Sequence, residues 1–142
     1  MPERDCGRVH TTIDEAIAHA RQSLAASLPN PVWGRKGGQI ANVGRVIGYE
    51  SQDKRKRYRL DYDPVKGVHV NEEDWNRPVD QQKVVHRVRF SMHPADSDVE
   101  SAWHRTLEGW MQLYWNKWTS RYDKPAEVLE AEEEVDRRRR GQ

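Results

Sequence analysis

The stretch Arg57-Tyr-Arg-Leu-Asp-Tyr-Asp-Pro-Val-Lys-Gly-Val-His-Val-Asn71 gathers the side chains best suited to chemistry. Read as two strands, it alternates faces: Arg57, Arg59 and Asp61 share one side of the first strand, and His69 and Asn71 share one side of the second. A histidine titrates near neutrality and can take or give a proton. Cations beside it can hold the charge that develops on a phosphoryl oxygen. Such a set suits metal-free cleavage of RNA. A base removes the 2′-OH proton, the oxygen attacks the adjacent phosphorus, and an acid protonates the leaving 5′ oxygen. His69 is the candidate acid or base. Lys66, Arg59 and Arg87 are candidates for charge stabilisation, Asn71 for orienting a phosphate or base, and Asp61 for orienting His69 or pairing with Arg59. Arg57, Arg87, Arg89, Arg45 and Lys36 are candidate RNA contacts. His86 and His93 are candidates for the second proton-transfer group, although the expected face of His86 is apolar and favours a buried structural role. On spacing alone, a histidine on a solvated strand is more often a plain surface residue.

The elements that must position these residues follow from turn chemistry and periodicity. Asp63-Pro64-Val65-Lys66-Gly67 predicts a tight turn, because Pro fixes φ and Gly tolerates a positive one. Tyr58, Leu60 and Tyr62, with Val68 and Val70, then form the apolar face of a hairpin. Residues 43–50 and 83–90 predict two more strands. In the latter, Val84, His86, Val88 and Phe90 share one face, and Val85, Arg87 and Arg89 the other. Four strands with short connections predict an antiparallel meander. Thr12-Ile-Asp-Glu15 is a capping box with Glu15 reaching back to the Thr12 amide, and apolar spacing predicts a helix over 12–28. Gly34-Arg-Lys-Gly-Gly38 is a basic loop without phosphate-loop spacing, so a linker is favoured over a phosphate cradle. Ser97-Asp-Val-Glu100 opens a second predicted helix. Its stripe runs Val99, Trp103, Leu107, Trp110, Met111, Tyr114 and Trp118, and reads as packing. Trp115 falls off the stripe and is read as exposed, a candidate for stacking or an interface. The last predicted helix starts acidic and ends in Arg137–Arg140, which suits the helix dipole, and its sparse apolar content predicts a solvated element.

The expected fold class is α+β: an N-terminal helix and a Trp-rich C-terminal helix on one face of a four-stranded antiparallel sheet, with the His69 face open. The domain covers 1–122, and a charged helical tail covers 123–142. The chain has 142 residues, with 35% hydrophobic and 33% charged, enough for one small core supported by six Trp. No apolar run approaches membrane-spanning length and no signal-peptide core is visible, so a cytoplasmic location without a membrane partner is expected. A lone Cys6 excludes an internal disulfide and reads as a bystander. No Cys-based zinc cluster or local metal-binding pattern is present, which leaves only ligands gathered from distant segments; no metal and no cofactor is expected. Net charge is +1, but residues 31–90 hold 13 basic and 8 acidic side chains, so the central block is the expected anion-binding part.

Gly44-Arg-Val-Ile-Gly-Tyr-Glu-Ser51 followed by Tyr58–Asn71 resembles the C-terminal toxin domains of bacterial polymorphic toxins, the payloads of Rhs-type and contact-dependent inhibition systems. The resemblance covers about residues 38–75. It implies a metal-independent ribonuclease of the barnase/EndoU/RelE-like class, acting on tRNA or other cytosolic RNA of a target cell. It carries Arg59, Asp61, Lys66, Gly67, His69 and Asn71 as functional positions, His69 above all. It also implies an acidic immunity protein as a partner. The alternatives are a non-catalytic RNA- or protein-binding module on the same sheet and a metal-dependent DNA nuclease.

Overall fold

The computed structural model describes residues 3–35, 42–63, 67–88 and 114–141. Its centre is one six-stranded mixed sheet, ordered β1-β6-β5-β4-β3-β2. The strands are β1 (Glu3–His10), β2 (Asn30–Trp33), β3 (Val46–Glu50), β4 (Lys56–Asp63), β5 (Gly67–Asp74) and β6 (Lys83–Val88). β3 to β6 form the expected antiparallel meander. Two strands extend it. β2 adds antiparallel to β3, and β1 adds parallel to β6. The sheet is therefore mixed, which corrects the expectation of four antiparallel strands.

Alternation along β4 and β5 sets the two faces. Leu60 pairs with Val70, Tyr62 with Val68 and Tyr58 with Glu72. These residues face α1 (Ile13–Leu24), whose Ile13, Ala16, Ala20 and Leu24 are fully buried. Thr12 caps this helix by accepting from the Glu15 amide, and the Glu15 carboxylate accepts from the Thr11 amide, one residue earlier than expected. α1 ends at Leu24, short of 28, where Ala25 turns left-handed.

Residues 114–119 are helical and join the same core. Trp118 meets Tyr49 edge-on at 5.7 Å between ring centroids. Trp115 is 1% exposed, so it is a core residue and not the expected exposed platform. The stripe from Val99 to Met111 lies outside the described residues. The last helix, α2 (Ala126–Arg140), is charged as expected, yet Val128 and Ala131 are buried. They line a cleft with Pro31, Val32 and Trp33 of β2, so the tail lies against the edge strand. No helix among the described residues is long and apolar enough to cross a membrane.

Candidate functional site

The face of the sheet away from α1 carries the residues singled out by type. Register opposes Arg59 to Asn71 and Asp61 to His69 across β4 and β5, and His69 to Arg87 across β5 and β6. Arg59, Asp61, His69, Asn71 and Arg87 thus share one face, as alternation required. Arg57 and Glu73 continue the row, and Lys83 stands opposite Glu73 on β6. Lys36, Lys66, Arg89 and His93 lie outside the described residues.

His69 differs from its expected setting. It is 2% exposed, so this part of the face is covered and not open. The ring lies with Nδ1 2.9 Å from the Gly67 carbonyl oxygen. A carbonyl only accepts, so Nδ1 carries the proton and Nε2 keeps the basic lone pair. Asp61 stands across from His69 but pairs with Arg59 at 3.9 Å and accepts from the Tyr62 amide. Of its two expected roles, the pair with Arg59 is the one formed. Asn71 is buried beside them. Arg87 is half-exposed and pairs with Asp5 of β1 at 3.2 Å.

The strongest electrostatic feature of the face was not singled out beforehand. Glu73 is buried and meets three cations: Arg57, Arg59 at 3.5 Å and Lys83 at 3.8 Å. A buried carboxylate needs such compensation. The group sits in a cleft of about 520 Å³ that Trp33, Arg35, Asp61 and Trp75 also line. Arg35, Arg57, Arg59 and Lys83 against Asp61 and Glu73 leave this cleft with a surplus of two positive charges. Alternation along Glu72-Glu73-Asp74 would have indicated that Glu73 alone turns to this side. Arg45 is not brought here. It donates to Asn116 Oδ1 at 2.6 Å, beside the bond from the Val46 amide to Thr119 Oγ1, on the side where α1 packs.

That other side of the sheet holds a second polar group. Glu72 is fully buried and bonds His86 Nε2 at 2.7 Å, Ser23 Oγ at 2.8 Å and Arg77 at 2.6 Å. His86 is buried, as its expected face implied. His10 and His19 pack against it, with ring centroids 5.6 and 4.6 Å away. Cys6 is not a bystander: its sulfur lies 3.8 Å from His10 Nε2. Burial lowers the pKa of His10 and of His19, and the His86 ring beside them lowers both further. No protein-family model and no curated protein matches the chain.

Proposed function

We propose that this protein is a metal-independent endoribonuclease acting through the polar face of the sheet, with His69 Nε2 as the proton-transfer group. The observation that carries the reading is the bond from His69 Nδ1 to the Gly67 carbonyl, on a face shared with Arg59, Asn71 and Arg87. It fixes the tautomer in which Nε2 can accept the 2′-OH proton. The Arg side chains supply positive charge for the phosphoryl oxygens. Trp33 and Trp75 beside the cationic cleft suit stacking of unpaired bases, which favours single-stranded loops such as those of tRNA. The resemblance to polymorphic-toxin payloads agrees with this chemistry and adds a toxin role with an acidic immunity partner.

The burial of His69 and the three-cation clamp on Glu73 favour a second reading, a module that binds RNA on this face without cleaving it. One experiment separates the two. Total bacterial RNA is incubated with the purified protein in buffer without added divalent cations, beside His69→Ala. The first reading expects fragments ending in 2′,3′-cyclic phosphate from the wild type and a loss of about 10²–10⁴-fold in the variant, the usual scale of general acid–base catalysis. Intact RNA with both proteins, at concentrations where both bind it, would leave the binding module.

A further inference from the structure

Cys6, His10, His19 and His86 come from three separate parts of the chain: β1, α1 and β6. Each offers one ligand atom, and the four atoms lie within 4.8 Å of one another. β1 is built to allow this. Its pairing with β6 shifts register between Asp5 and Val9, and Gly7 inside the shift has a φ of +91°. That conformation suits glycine and lets the strand bulge. Alternation puts Cys6 and His10 on one side, and the bulge shortens the path between them, so that Sγ and Nε2 are 3.8 Å apart.

Two separations within the group are close to the edges of a coordination shell. Metal–nitrogen bonds of about 2.05 Å and metal–sulfur bonds of about 2.3 Å give tetrahedral edges of about 3.3 Å for N···N and 3.6 Å for S···N. His10 Nε2 and His19 Nδ1 are 3.2 Å apart, and Cys6 Sγ is 3.8 Å from His10 Nε2. His86 adds an independent sign. It is 1% exposed, its Nε2 is committed to Glu72, and its Nδ1 has no hydrogen-bond partner among the described residues. A carboxylate on one ring nitrogen, with the other left as a buried lone pair, is how ligating histidines are oriented. Glu72 is itself fixed by Ser23 and Arg77, so the orienting group cannot drift. Buried ring nitrogens are ordinarily hydrogen-bonded, so this one invites a partner.

We propose that Cys6, His10, His19 and His86 bind one zinc ion, with Glu72 as the positioning residue for His86. Mixed sulfur and imidazole donors gathered within 4.8 Å favour zinc. Binding drives the thiol proton of Cys6 to solvent and leaves a thiolate on the metal. Four protein ligands make a closed, structural site. The fold has a use for one. β1 buries only His10 fully, so apolar packing contributes little to holding this parallel strand on β6. A metal spanning β1, α1 and β6 supplies that attachment. The site lies on the opposite side of the sheet from His69 and does not depend on the ribonuclease reading.

The test uses the full chain without a histidine tag, purified without chelator. Elemental analysis is expected to find one zinc per chain in the wild type and in His69→Ala. Replacement by Co²⁺ should give tetrahedral visible bands plus a near-ultraviolet thiolate-to-cobalt band. Cys6→Ser, a change of one atom, should remove the thiolate band. Glu72→Gln should keep both bands but weaken affinity about 10- to 100-fold in a competition titration, the usual effect of losing an orienting partner. Removing the metal should speed amide exchange in residues 3–10 selectively. A wild-type chain that takes up neither zinc nor one equivalent of Co²⁺, or a cobalt spectrum unchanged by Cys6→Ser, would overturn the proposal.

Discussion

Glu72 and Glu73 are neighbours in sequence, and the pleat sends them to opposite faces with different consequences. Glu72 enters the histidine group under α1, and Glu73 enters the cationic cleft. The pleat also answers how a phosphate could approach a run of three acids. Asp74 turns back to Lys56 and Arg77, and Glu73, the one acid of this run that faces the cleft, is offset by three cations. Burial governs the tyrosines as well. Burial, with Tyr122 beside it, pushes the Tyr49 phenol up to about 12; burial and the Asp14 carboxylate do the same to Tyr114. An ordinary tyrosine titrates near 10. A raised folded-state pKa means that the folded state favours the neutral phenol. The stability this gives is full below about pH 10 and is lost as pH rises through about 12. An alkaline absorbance titration should therefore show a late-ionising fraction that coincides with unfolding by circular dichroism. Tyr49→Phe should shrink that fraction; ionisation of all tyrosines near pH 10 with the fold intact would contradict the assignment.

At the scale of elements, β3 is held against β4 by the absence of a side chain. A Cβ on Gly48 would run into the Tyr58 carbonyl and the Arg59 backbone, neither of which can rotate away. Gly48→Ala should cost about 1–3 kcal/mol through forced strand displacement, read as a lower urea midpoint at unchanged slope. That the hairpin and its neighbours were legible in the sequence follows from the same local physics. Tyr58, Leu60 and Tyr62 against Val68 and Val70 fix the period of two, and a one-residue slip would bury Arg59 and Asp61 under α1. The outer strands gave no such signal. β1 is exposed along most of its length, and its partner lies some eighty residues away, so neither alternation nor a turn announces it. β2 holds Pro31, which reads as a breaker but is tolerated on an edge. The candidate site divides the same way. Shared face and register came from alternation within β4 and β5. The meeting of Cys6, His10, His19 and His86 arises only when distant segments pack.

At the scale of the whole molecule, the sheet separates two chemistries that one sequence stretch supplies to both sides. Its helix face is anchored by Ile13, Leu24, Trp115 and Trp118, which leaves the opposite face to polar side chains. Among the described residues of that face a cationic surplus lies in the cleft around Glu73, while the four arginines ending α2 are exposed beside Glu133 and Glu134 on the same helix. Binding of RNA should therefore depend on the cleft and not on the tail. For single strands the logarithm of affinity falls with the logarithm of salt by about 0.7 for each phosphate neutralised. Arg59 is about one-quarter exposed and sits between Asp61 and Glu73, so it can exchange these partners for a phosphate. Arg59→Ala should lower affinity for an unstructured RNA and reduce the salt slope by about 0.7. Replacing Arg137–Arg140 with Gln should leave the slope where it is. Fluorescence anisotropy of a labelled oligonucleotide across a salt series reads both. A slope that drops with the tail variant and not with Arg59→Ala would move the nucleic-acid contact from the sheet to α2, and with it the assignment of the polar face.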